Sequence, residues 1–192
     1  LTSDHRTMAE QPDAIIDGIN ILNHFIKAEK VFIGVESNKQ DAIKALREKA
    51  AKNNTPIEVV ELQVKYPQGA EKMMVTAIIN KEVPSGKLPI DIEVMVSNVS
   101  SIAYLSDWFR HGKPLIERVV TVTGTAINRP ANVLVPIGTP MREVVKHCGG
   151  TNSADLEFLL GGPMMGMVQR SLDVPVVKGT SGMLMLTGNE VG

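Results

Sequence analysis

Apolar residues at Ala14, Ile15, Ile19, Leu22, Phe25 and Ile26 recur at helical spacing, so residues 8–28 read as one amphipathic helix with Pro12 and Asp13 near its start. The run Val31-Phe32-Ile33-Gly34-Val35 then predicts a short central strand. Asn38 is placed to cap a second helix, whose apolar face is Ala42, Ile43, Leu46 and Ala50. Asn53-Asn54-Thr55-Pro56 breaks that helix, and residues 57–62 supply the next strand. Alternating helix and strand make a parallel α/β layer the economical arrangement.

Beyond Tyr66-Pro67-Gln68-Gly69 a helix is expected through Ile79, then a loop bearing Pro and Gly over residues 83–89. Val94-Met95-Val96 reads as a further strand, and residues 99–111 as an amphipathic helix carrying Ile102, Leu105, Trp108 and Phe109. The pattern changes after that. Residues 118–124 are β-branched, 132–137 form another strand, 139–148 look helical with Thr139 as cap and Gly149 as stop, and 156–160 return to strand. With the apolar residues 183–186 as a closing strand, this order suggests a β-grasp module. The expected organisation is therefore α/β: a partial Rossmann-like parallel-sheet domain over residues 1–113, then a small β-grasp (ubiquitin-like) domain over 114–192.

Composition narrows the function classes. With 43% hydrophobic and 21% charged residues the chain has the balance of a globular protein. A formal charge of −1 with interspersed signs offers no stripe to neutralise a phosphate backbone, which argues against nucleic acid. One cysteine, Cys148, excludes an internal disulfide and cannot alone hold zinc or an iron–sulfur cluster; it reads as a small half-buried side chain. No run approaches the roughly 18 apolar residues a bilayer-spanning helix needs, so any membrane link is expected through a partner. The chain starts at Leu1 and runs directly into a helix pattern, which suggests a fragment.

Several segments could carry chemistry. In residues 65–72, Gly69 would let a flat ring approach the backbone, Glu71 could accept hydrogen bonds from a polar ring or sugar, and Lys72 adds positive charge. This loop follows a strand, where open α/β sheets place ligands, although by itself it is better explained as a plain turn into a helix. Ser97 and Asn98 open a helix and could meet a phosphate or ribityl chain, or act only as a cap. Asp4-His5-Arg6 could bind a charged ligand or be exposed charge. The glycine-rich residues 161–166 and 179–182 match no phosphate loop or nucleophile elbow and read as turns, and the scattered histidines show no metal-ligand spacing.

Taken together, Lys65-Tyr66-Pro67-Gln68-Gly69-Ala70-Glu71-Lys72, Glu82-Val83-Pro84-Ser85-Gly86, residues 112–124, Gly161-Gly162-Pro163-Met164-Met165-Gly166 and Lys178-Gly179-Thr180-Ser181-Gly182 closely resemble the C subunit of the Rnf electron-transport complex. The resemblance extends more loosely to the flavoprotein subunit of respiratory complex I and to Rnf C-like proteins serving proline reduction. It implies a parent subunit of an ion-translocating ferredoxin:NAD+ oxidoreductase that exchanges hydride between NAD(H) and FMN and passes electrons to 4Fe-4S clusters. It places Gly69 and Glu71 along flavin and nicotinamide, with Ala70 between them a departure from the complex I pattern. The relatives' Asn-rich turn falls on Ser97 and Asn98, serine replacing the first asparagine, and Asp4 resembles the end of an acidic flavin segment.

The same resemblance implies an SLBB-type second domain that docks neighbours. The implied partners are other Rnf subunits and, indirectly, ferredoxin, at the cytoplasmic side of the bacterial membrane and peripheral to it. The family's glycine-rich FMN loop and its cluster cysteines are not in this sequence, so the fragment is expected to be inactive and to hold little or no FMN, and no metal. Two alternatives stand beside this reading: a non-catalytic docking fragment, and an Rnf C-like reductase component serving another acceptor, such as a proline or cobalamin reductase system.

Overall fold

In a computed structural model of the chain, which describes residues 2–188, the stripe over residues 8–28 forms two helices, α1 (Thr2–Glu10) and α2 (Pro12–Ile26). Gln11 leaves helical geometry at φ −127 and ψ 41, and Pro12 restarts the helix at a first-turn position where its missing N–H costs nothing. The single expected helix is therefore corrected to two.

Two compact units are present, Asp4–Gly112 and Lys113–Gly192 with Leu1–Ser3. In the first, β1 (Val31–Glu36) and β2 (Ile57–Leu62) pair in parallel, with Val31 opposite Ile57 and Glu36 opposite Leu62. Helix α3 (Gln40–Ala50) connects them. Strand alternation sends Ile33 and Val35 to one face, where they join Ile15, Ile43 and Leu46 in the core. On the other face Gly34 leaves room for α4 (Glu71–Ile79): a Cβ there would stand 2.9 Å from Leu62 Cδ1, 3.1 Å from Ile78 Cδ1 and 3.3 Å from Met74 Sδ. A parallel sheet covered on both faces is the Rossmann-like arrangement.

Helix α5 (Val99–His111) completes this unit by packing on α2. Its buried face is Ser100, Ile102, Ala103 and Ser106; Trp108 and Phe109 are exposed, as are Phe25 and Ile26 on α2. The rings of Phe25 and Phe109 lie 6.1 Å apart and those of Trp108 and Phe109 5.2 Å apart, an aromatic cluster at the surface. Small residues form the contact because α2 brings Gly18 to it, where a Cβ would lie 2.0 Å from the Ile102 carbonyl oxygen.

Two further expectations fail in this unit. Asn38 does not cap α3; Lys39 holds the cap position without a side-chain bond, and the Asn38 side chain accepts from Lys39 Nζ. Residues 94–96 form no strand: half-buried Val94 and Val96 flank exposed Met95, but no ladder pairs with them among the described residues. Alternation without a partner strand does not make a sheet.

An ion pair beneath the helix contact sets a pH response. Asp17 Oδ2 accepts from Ser106 Oγ at 2.7 Å and Arg110 Nε at 2.9 Å, and Oδ1 accepts from Arg110 Nη2 at 2.5 Å. The Arg110 hydrogen bonds hold the Asp17 carboxyl below its usual value; partial burial opposes them, and Ser106 and the Arg110 charge add to them. A depressed folded value means that the stabilisation is complete above the unfolded carboxylate value of about 3.9 and is lost as pH falls through the lower folded value. Asp17→Asn should therefore lower the urea midpoint of the first unit by a constant amount near neutrality, and the gap should close below about pH 4. Trp108, the chain's one tryptophan, reports that transition.

In the second unit β3 (Glu117–Thr123), β4 (Ala131–Pro136), β5 (Leu156–Leu160), β6 (Met167–Gln169) and β7 (Gly182–Thr187) form one mixed sheet in the order β4-β3-β7-β5-β6. β3 and β7 are parallel and the other pairs antiparallel. Helix α6 (Met141–His147) buries Met141, Val144 and Val145 against Val120, Val122, Met183 and Met185, a β-grasp arrangement. Pro140, not Thr139, precedes α6 as its cap residue. Cys148 is buried rather than half-buried, and burial raises its thiol pKa, which makes it a packed side chain and a poor nucleophile. The short strand β6 was not expected.

Candidate functional site

The stretch over residues 65–72 leaves the carboxyl end of β2 and turns into α4. Gln68 N donates to the Lys65 carbonyl at 3.0 Å and Ala70 N to the Pro67 carbonyl at 2.9 Å, two overlapping turns that deliver the chain to the helix. The plain reading of this segment, a turn into a helix, is realised. Ala70 is the cap residue and has no side-chain oxygen to serve the first N–H groups of α4, so Glu71 and Lys72 stand in an exposed first turn whose leading donors no side chain caps. Gly69 is exposed, and a Cβ built on it would meet nothing within 4 Å. The protein's own packing does not demand glycine there.

A second group forms around the start of α5. Asn98 caps this helix, its Oδ1 accepting from Ser100 N at 2.9 Å. Ser100 Oγ in turn donates to Asp4 Oδ1 at 2.8 Å, which ties α1 to the mouth of α5. The cap commits the Asn98 oxygen, so its Nδ2 amide is the atom with donors to offer a ligand. Asp4 similarly has Oδ2 to spare. Ser97 lies exposed beside them. The other two residues of the Asp4-His5-Arg6 segment are engaged within the first unit: His5 Nε2 sits 2.7 Å from Asp41 Oδ1, and Arg6 pairs with Glu10. The His5 hydrogen bond is the largest influence lowering the Asp41 carboxyl.

Asp4, Asn98 and Ser100 are thus joined directly, and Gly69, Glu71 and Lys72 are consecutive or nearly so, but no hydrogen bond or ion pair links the two groups among the described residues. An open groove lies at the other end of the sheet, lined by Lys30, Phe32, Arg47, Asn53, Pro56 and Glu58 at the amino ends of β1 and β2. It contains none of the sequence candidates. Open α/β sheets bind ligands at the carboxyl ends of their strands, so the loop before α4 is the better placed of the two. Among the described residues, no group of three or more His, Cys, Asp or Glu could hold a metal ion, and no helix is long and apolar enough to cross a membrane.

The residues present suit a flavin nucleotide by their donor chemistry. An unobstructed glycine offers a flat ring close approach, the start of α4 beside it has N–H groups that no side chain caps, with a lysine and a carboxylate in the same turn, and at α5 the Asn98 amide nitrogen is left over from its cap. Two family models match the chain. Residues 1–107 match the model of the Nuo51 FMN-binding domain and residues 119–168 that of the SLBB domain.

Three curated relatives are similar throughout. The C subunit of the proton-translocating ferredoxin:NAD(+) oxidoreductase complex of Clostridium ljungdahlii is 45% identical over 191 residues, covering 100% of this chain and 41% of the relative. Its counterpart in the Na(+)-translocating ferredoxin:NAD(+) oxidoreductase complex of Acetobacterium woodii is 46% identical over 97% of this chain and 42% of its own length. The C subunit of the ion-translocating oxidoreductase complex of Rhodobacter capsulatus is 44% identical over 99% of this chain and 37% of its own length. The chain thus spans about two fifths of the length of these relatives. A crystal structure of NAD+-reducing NiFe-hydrogenase in the air-oxidized state shares the fold at a TM-score of 0.78 and 15% identity, over 98% of this chain and 38% of that one.

Proposed function

Because the chain belongs to the Nuo51 FMN-binding domain family, we propose that it is a portion of an Rnf-type C subunit, in a parent that transfers electrons between NAD(H) and iron–sulfur centres through FMN. The observation that carries this reading is the free approach to Gly69 beside Glu71 and Lys72, at the carboxyl end of a parallel strand. A flavin held there would exchange two electrons with a nicotinamide as hydride and one at a time with iron–sulfur centres.

In this reading the chain's residues bind and orient. Gly69 keeps the backbone out of the way of the ring, the Glu71 carboxylate accepts hydrogen bonds from the ring or nicotinamide side, and Lys72 adds attraction for phosphate. Asn98 Nδ2 and the neighbouring Ser97 donate to the ribityl or phosphate groups, while Asp4 Oδ2 accepts from a hydroxyl. The parent works peripherally at the cytoplasmic face of the membrane with the other members of the complex, and reaches ferredoxin through them. The residues here line an incomplete site, so the chain by itself retains FMN weakly or not at all.

The test separates fold from function. Gly69→Ala adds a methyl where nothing lies within 4 Å, and should change stability by no more than about 0.5 kcal/mol. In the full-length parent the same methyl should displace the ring, cutting both retained FMN and NADH-dependent dye reduction by about tenfold or more, the change that roughly 1.4 kcal/mol of lost binding produces. A full-length parent that carries no FMN and reduces no dye with NADH would sink the reading in favour of a docking fragment. Stoichiometric FMN on the isolated chain would overturn the claim of an incomplete site.

A further inference from the structure

Arg118 is the second residue of β3, opposite Val135 of β4, and strand alternation puts it on the same face as Val120 and Val122, which fill the core of the second unit. Only 6% of its surface reaches solvent. Its Nε is sealed from solvent with no acceptor, and its Nη nitrogens also meet no acceptor among the described residues but are not sealed. The chain's other arginines differ. Arg6, Arg47, Arg110 and Arg142 face carboxylates, Arg129 donates to the His147 carbonyl, and Arg170 is exposed. Burial without a partner is peculiar to Arg118 among the described arginines.

A buried lysine could escape this situation by losing its proton, but a guanidinium cannot. Water reaching the Nη edge would accept hydrogen bonds and leave the charge uncompensated. A carboxylate answers both needs, since its two oxygens match the spacing of the fork and its charge is opposite. The packed stem has already given up its rotamer freedom, so the fork is presented without a further ordering cost.

We propose that Arg118 is the floor of a carboxylate-binding site in the second unit, with Nη1 and Nη2 each donating to one oxygen of an incoming carboxylate. The carboxylate can come from an acidic side chain of another polypeptide segment or from a small free acid; the recognition chemistry is the same.

Side-chain 15N NMR of the chain tests this, with the Arg118 Nε–H signal assigned through the backbone of the wild-type protein. Sodium acetate at neutral pH should shift that signal saturably, and sodium chloride at matched ionic strength should not. Arg118→Lys, followed through the Val119 and Val135 amides, should weaken acetate binding by about tenfold, because an ammonium lacks the fork. A response that never saturates, or one that chloride reproduces, overturns the proposal whether or not the variant folds. Repeating the titration on the full-length parent in its complex separates the sources. A signal already at the acetate-bound position and deaf to acetate identifies a polypeptide carboxylate, and one that still titrates identifies a free acid. A signal at the unbound position that does not respond there counts against the site.

Discussion

Gly18→Val should unfold the first unit at markedly lower urea than the wild type, and Gly18→Ala should do the same to a lesser degree. Gly18 lies inside α2, where alanine would ordinarily gain about 1 kcal/mol over glycine in helix propensity. Against that stands the α5 backbone: a Cβ on Gly18 would sit 2.0 Å from the Ile102 carbonyl oxygen and 2.9 Å from its carbonyl carbon and Cγ2. Backbone cannot swing aside as a flexible side chain does, so α2 and α5 must separate by about an ångström or more. Overpacking of this kind costs about 1–3 kcal/mol and occasionally more, and separation would also loosen the Asp17–Arg110 and Asp17–Ser106 hydrogen bonds that bridge the same two helices. The clash outweighs the propensity gain. We expect a net loss of about 2 kcal/mol for alanine and about 4 kcal/mol for valine, which adds β-branching inside a helix. Urea unfolding read by Trp108 fluorescence measures both, and an alanine variant as stable as the wild type would mean that the helices are not in contact at Gly18.

That contact also explains where sequence reading went astray. Apolar periodicity finds large side chains, and on α5 it selects Ile102, Leu105, Trp108 and Phe109; only Ile102 of these is buried, and the helix buries Ser100, Ala103 and Ser106 beside it, because close approach needs small residues more than apolar ones. The strands β1, β2, β5 and β7 were legible because apolar runs sit between glycine, proline and asparagine breakers. β6 was not, since Met167, Val168 and Gln169 are a short edge segment that pairs with β5 alone among the described strands, and residues 94–96 carried a strand pattern with no partner strand among the described residues. Hydrogen-bonded neighbours are a property of the fold, not of a three-residue window.

The candidate site divides in the same way. Local roles could be read: a turn before α4, and a cap at Asn98. The Ser100 bridge from Asn98 to Asp4 could not, since it spans 96 residues of sequence and carries no local signal. Arg118 was read only as the start of a β-branched run. Its burial depends on alternation in β3 and on the strands and helix packed over that face, and no property of the residue itself announces it.

Gly124→Ala should cost the second unit more than any other single glycine substitution there whose surroundings are known. Two penalties coincide. Gly124 has φ +118, a backbone conformation that L-residues rarely adopt, and a Cβ on it would lie 1.9 Å from the Met185 carbonyl oxygen, 2.7 Å from its carbonyl carbon and 2.8 Å from its nitrogen. Met185 is fully buried in β7, the central strand that β3 and β5 both pair with, and its carbonyl accepts from Ala126 N at 3.1 Å. Relief of the clash would therefore break the turn after β3 or push β7 out of the sheet. Gly138→Ala isolates the first penalty, since Gly138 has φ +94 but nothing within 4 Å of a Cβ, and should cost about 1–2 kcal/mol. Gly124→Ala should add about 1–3 kcal/mol of overpacking to that, enough to threaten a unit of this size. Hydrogen exchange of the β3 and β7 amides measures the difference directly: protection should fall modestly and evenly in Gly138→Ala and steeply in Gly124→Ala. Equal losses in the two variants would mean that the crossing of residue 124 over β7 contributes nothing beyond its backbone angle.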